Sequence, residues 1–178
     1  ASADESWGLI GGSPTAGHFA CVVPKIGLAL VDAAQPQRAY DILTHAVADV
    51  GSRLGIAPPL TLVTNIGWAA LGIDRPAEAL TWFTRAITTA PMPGLFLAED
   101  CVGAACALAT LDHPDAAALL DAADELGSRH SLSLSPSQAS HREVARRHAP
   151  PSEGRSLTGR TDDELAGLVV AAADAIAT

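Results

Sequence analysis

Residues 60–93 read LTLVTNIGWAALGIDRPAEALTWFTRAITTAPMP, and this stretch decides the fold. In its second half Ala79, Leu80, Phe83, Ala86 and Ile87 recur at intervals of three and four, the spacing that lines one face of a helix. Pro76 stands just ahead of them, where a helix begins and where its missing N–H costs nothing. The first half, opened by Pro58-Pro59, carries Ile66, Gly67 and Trp68 on a second helix, with Gly67 small enough to admit a close neighbour. The stretch therefore predicts two helices joined by a short turn.

Working outward, the same register recurs. Ile26-Gly27 repeats Ile66-Gly67, and Ala39, Leu43 and Ala46 stand at the offsets of Ala79, Phe83 and Ala86. The punctuation QPQRA at Gln35–Ala39 matches RPAEA at Arg75–Ala79, and a third form, HPDAA, runs from His113 to Ala117 with Ala105 in place of the glycine. The period is about 40 residues and then 38, the range of helical-hairpin repeats. Pro36, Pro76 and Pro114 are read as helix starts, and Ser13-Pro14 as the opening of a first helix that Pro24 kinks or divides. Beyond residue 130 the pattern changes. SPSQ (135–138) and TDDE (161–164) have the spacing of capping boxes, predicting a polar helix at about 136–148 and an apolar one at about 162–177. No alternating β-branched segment of useful length occurs.

The expected fold is thus all-α: an α-α superhelix of about 7–8 helices with non-repeat C-terminal capping helices. The expected organisation is a flexible N-terminal segment at 1–12, repeats at 13–130, and capping helices at 131–178 with a loop near 149–160. Composition agrees. The chain has 178 residues, 48% of them hydrophobic and only 4% aromatic, so the core must be built from Ala, Leu, Ile and Val, which suits closely approaching helices.

A net charge of −9 opposes phosphate backbones and acidic membranes, so no direct nucleic-acid or membrane partner is expected. The one basic stretch, 141–160, contains Arg142, Arg146, Arg147, His148, Arg155 and Arg160 against Glu143 and Glu153, and reads as a solvated helix face. Three cysteines, Cys21, Cys101 and Cys106, form no CxxC pair, which argues against a disulfide framework and a structural zinc site. With no basic segment leading an apolar one at the N-terminus and no uninterrupted apolar run of spanning length, a cytoplasmic location is expected.

Residues 60–93 resemble the 34-residue tetratricopeptide pattern, with Ile66, Gly67, Ala70, Ala79, Phe83, Ala86 and Pro91 at the small or apolar positions and Val63 where that family usually has tryptophan. Further on, AALLDAADEL (117–126), the polar segment to Arg147, and EGRSLTGRTDDELAGLVVAAADA (153–175) resemble the C-terminal helical region of bacterial LuxR-type and related regulators that carry an NTPase module. The resemblance implies a protein-interaction or regulatory arm of a transcriptional or signalling regulator. Its partner would be another protein or other domains of a larger parent chain. No Walker A sequence and no terminal DNA-binding signature occur here.

No catalytic set emerges from spacing. The six histidines form no HxxxH or HExxH pair, Cys101 and Cys106 lie in apolar company, and GLIGGSPTAG (8–17) lacks the lysine and strand of a phosphate loop. The chain is therefore read as a non-enzyme needing no cofactor or metal. The candidate partner or ligand surface consists of Tyr40, Asn65, Trp68 and Trp82. The alternative reading is a small-molecule sensor with a pocket between helices near Cys101, Cys106 and Trp68.

Overall fold

A computed structural model describes residues 21–55, 57–89, 94–151 and 156–177. The segment 1–12, the start at Ser13-Pro14 and the glycines of 8–17 lie outside them. Among the described residues every regular element is helical: α1 (Val23–Asp32), α2 (Pro36–Asp49) with a π-helical turn at Val50–Leu54, α3 (Leu60–Gly72), α4 (Pro76–Thr89), α5 (Gly94–Thr110), α6 (Ala116–Arg129), α7 (Pro136–His148) and α8 (Asp162–Ala177). None of them is long and apolar enough to cross a membrane. Two compact units form, one up to Asp74 and one from Arg75. The boundary falls inside the stretch quoted first, so α3 belongs to one unit and α4 to the other.

The repeat seen in the sequence has a backbone counterpart. Ala34, Asp74 and Asp112 all adopt left-handed φ values, of 58°, 59° and 55°, and each stands two residues before a proline. Gln35 N–H donates to the Leu30 carbonyl at 2.8 Å and His113 N–H to the Leu108 carbonyl at 2.9 Å, the six-to-one bond that closes a helix C-terminus. Ser131 adopts φ 56°, and the following Leu132 N–H returns to the Gly127 carbonyl at 2.8 Å. Pro36 and Pro76 are the first residues of α2 and α4. One proline departs from expectation. Pro114 lies in the turn ahead of α6, which starts at Ala116 with Asp115 as N-cap. Pro24 occupies the first turn of α1, where proline is tolerated, and the helix expected ahead of it lies outside the described residues.

In the first unit α1, α2 and α3 pack against one another. Gly27 permits the approach of α2: a Cβ placed there would lie 2.6 Å from the Leu43 side chain. Helix α3 buries Leu62 to Leu71 without a break, the mark of a helix covered on all sides. In the second unit α5 has that role. It packs on α4, α6, α7 and α8, and Asp100 to Ala109 are all buried. Gly103 faces the Phe83 ring of α4 so closely that any Cβ would overlap it. Both capping boxes form, with Ser135 and Gln138 reciprocally bonded and the Thr161 N–H donating to Glu164 Oε2 at 2.9 Å. Helix α8 returns to pack on α4 and α5.

Replacing Gly103 by alanine should lower unfolding free energy by about 1–3 kcal/mol, since the fully buried Phe83 ring has no room to yield. The companion Phe83→Leu should recover part of that loss in urea titrations. Ala34→Gly should act in the opposite sense. It relieves a left-handed alanine of about 1 kcal/mol of strain and raises the urea midpoint.

Candidate functional site

The densest polar arrangement in the second unit lies where α7 meets α5 and α6. Helix α7 is short of apolar residues, and the face it turns inward is set by Gln138, Arg142, Ala145 and Arg146, positions i, i+4, i+7 and i+8 of one helical stripe. Only Gln138 and Ala145 of its 13 residues are buried. Gln138 serves twice: its side-chain oxygen accepts from the Ser135 N–H at 2.8 Å in the cap, and its amide donates to Glu99 Oε1 on α5 at 2.6 Å.

One turn further on, Arg142 grips Asp124 of α6 with both edges of its guanidinium, Nε to Oδ1 at 2.7 Å and Nη2 to Oδ2 at 2.6 Å. A turn beyond, Arg146 donates from Nη1 to Asp121 Oδ1 at 2.5 Å and from Nη2 to Asp124. Asp121 and Asp124 are three apart on α6 and the arginines four apart on α7, so each pair shares one helix face. The bond to Asp124 holds Arg142 protonated beyond its ordinary range, and the bond to Asp121 does the same for Arg146. The expectation that the basic stretch is a solvated face is therefore corrected at these two residues: α6 supplies their partners. Arg147 and Arg160 do pair locally, with Glu143 at 3.7 Å and Glu164 at 3.0 Å. Burial pushes His141, beside Arg142, toward its neutral form.

Two cavities have α7 as a wall. One, of about 430 Å³, opens between Val102 of α5, Asp124 and Ser128 of α6, the linker residues Ser131 to Leu134, and Ala139 and Arg142 of α7. The other, of about 230 Å³, lies between Ala109, Thr110 and Asp112 at the end of α5 and Val144, Ala145 and His148 of α7. Neither is lined by Cys101, Cys106 or Trp68.

Both core thiols are held protonated. Burial pushes Cys106 up to about 12, partly opposed by Arg142, and pushes Cys101 higher still, reinforced by Asp100 and Asp162. A thiolate is the reactive form, so these are packing groups. Among the described residues, no group of three or more His, Cys, Asp and Glu side chains is arranged to hold a metal ion.

The residues proposed from sequence as a partner surface divide. Asn65 and Trp68 are buried in α3, and Asn65 Nδ2 donates to the Pro24 carbonyl at 2.8 Å, tying α3 to α1. These two are interior groups, because α3 is buried without a break from Leu62 to Leu71. Tyr40 on α2 and Trp82 on α4 are partly exposed, with the Arg85 guanidinium 5.2 Å above the Trp82 ring. Sequence reasoning passed over Asp121 and Asp124 and took Gln138 only as part of a cap. The signal available was the helical spacing of opposite charges on two successive segments.

No protein-family model, curated protein or solved structure matches the chain.

The thiols make a pH prediction. The unfolded chain deprotonates its cysteines near the ordinary value of 9.0, while Cys106 keeps its proton to about 12. Between these values the native state binds more protons, so stability falls as pH rises, by about 1.4 kcal/mol per pH unit for each thiol. Urea titrations from pH 8 upward should show this slope, and Cys101→Ala/Cys106→Ala should flatten it. An unchanged slope in the double variant would assign the effect to other groups.

Proposed function

We propose that this chain is a non-catalytic, tetratricopeptide-like protein-interaction module of a bacterial transcriptional or signal-transduction regulator. The observation that carries the reading is the recurring turn: a left-handed residue, one more residue and a proline, at Ala34, Asp74 and Asp112, 40 and 38 residues apart. Recurrence at that interval is the signature of stacked helical hairpins, whose exposed faces bind other proteins by shape. The partly exposed aromatics Tyr40 and Trp82 fit such a use, since a few aromatic anchors carry most of an interface's energy. The buried thiols, held as neutral packing groups, supply no nucleophile. The likeness of residues 117–175 to regulator C-terminal regions supports the regulatory context, a cytoplasmic location, and a partner that is another protein or a domain of a parent chain.

A second reading, small-molecule sensing, is favoured by one observation. The 430 Å³ cavity has a volume typical of small-ligand sites and mixes Val102 and Leu132 with serine hydroxyls and the Asp124–Arg142 pair.

Two experiments separate them. Cross-linking with mass spectrometry in the source cells should join Tyr40- or Trp82-bearing peptides to one reproducible partner or parent-chain domain, and its absence counts against the leading reading. Thermal-shift screening should give only small shifts with metabolites. A midpoint rise that Ala139→Trp abolishes would move the conclusion to sensing.

A further inference from the structure

Helix α7 is attached differently from its neighbours. Whereas α5 buries 12 of its 17 residues and α6 eight of 14, α7 buries two of 13. What holds it is polar: the Gln138–Glu99 bond and the two arginines on Asp121 and Asp124. Both cavities described above lie along its inner side, so its contact with α5 and α6 is incompletely packed. Partly exposed ion pairs contribute little net stability and weaken with salt. Beyond the loop that follows, α8 is anchored by its own packing on α4 and α5, so α7 is a strap between two fixed points. Beneath it sit Val102 and Ala109, both almost fully buried, and Cys106, whose thiol feels both Arg142 and Asp124.

We propose that α7 is a releasable, in-chain occupant of a groove formed by α5 and α6, and that this groove receives in its place a basic helix of a protein partner. The groove's chemistry specifies that helix. It offers two carboxylates three residues apart on one wall and small apolar residues on its floor. It therefore selects a helix with two arginines four apart and small or polar residues between them along the same stripe, as Gln138, Arg142, Ala145 and Arg146 supply now. Displacement is an exchange of equivalent bonds: the arginines of α7 leave Asp121 and Asp124 as those of the partner arrive. The surface exposed in between is limited to a few residues of α5 and α6. This inference deepens the protein-interaction reading by assigning it a site and a partner chemistry.

The test uses the full chain. Mapped thiol labelling follows Cys106, under α7, with Cys101 as the internal reference. Raising salt from low to molar concentration, or introducing Arg142→Glu/Arg146→Glu, should speed labelling of Cys106 by about tenfold or more and leave Cys101 unchanged. A fluorescent peptide of residues 134–150 should bind the Arg142→Glu/Arg146→Glu chain at least about tenfold more tightly than the wild type, which holds its own occupant. Adding Asp121→Lys/Asp124→Lys should abolish peptide binding. Circular dichroism checks that the variants fold, and the salt series on the unaltered chain stands if they do not. Salt-insensitive Cys106 labelling at the Cys101 rate, or peptide binding indifferent to Asp121 and Asp124, would overturn the proposal. Because the labelling needs no partner, such a result leaves the broader reading to the cross-linking experiment.

Discussion

The second unit depends on α5, a helix covered on every side whose central turns are built of small side chains. Four helices pack on it, which a helix of Leu and Phe at every position would prevent by keeping its neighbours at the outer limit of normal interaxial distance. The run Gly103, Ala104, Ala105, Cys106 and Ala107 is all buried and all small. Its one glycine lets the tip of the Phe83 ring come close to the backbone. The low aromatic content follows from the same requirement: large groups such as Phe83 and Trp68 are used singly, each opposite a position that can receive it. The first unit repeats the arrangement on a smaller scale with Gly27 under Leu43.

Enclosure also sets the chemistry of the buried polar groups. Cys101 and Cys106 are kept as thiols because burial penalises the charged form, and the neighbouring carboxylates add to the penalty. Around this inert interior the elements are not equally attached. α6 and α8 bring apolar stripes to α5, whereas α7 brings Gln138, Arg142 and Arg146 to the positions where a core-facing helix normally carries leucine. Its grip rests on directional bonds to Glu99, Asp121 and Asp124. Directional bonds specify placement sharply and release readily, because each can be replaced by an equivalent bond to another molecule.

Much of the local structure was legible in the sequence. The limits of α7 and α8 were readable from SPSQ and TDDE because a capping box satisfies its donors within four residues. The turns were readable from Pro36 and Pro76 because proline's restriction is intrinsic. Pro114 misleads for a related reason: a type of turn that ends in proline serves equally as the helix's first residue or as the last residues before it, and Asp115 took the cap. Trp68 and Asn65 were misplaced because periodicity marks which face of a helix is apolar, and α3 has no exposed face to contrast with a buried one.

The amino-acid sequence by itself determined the helical class, the repeating turn, the limits of α7 and α8 and the starts of α2 and α4, since spacing, capping and proline act over a few residues. Only the tertiary structure decided that Arg142 and Arg146 face Asp121 and Asp124, that α8 returns to α4 and α5, and that α3 and α5 are enclosed. These relations join residues 18 to about 80 positions apart. They depend on how helices approach one another, which is governed by the fit of whole surfaces and is not carried by the pattern along any one of them.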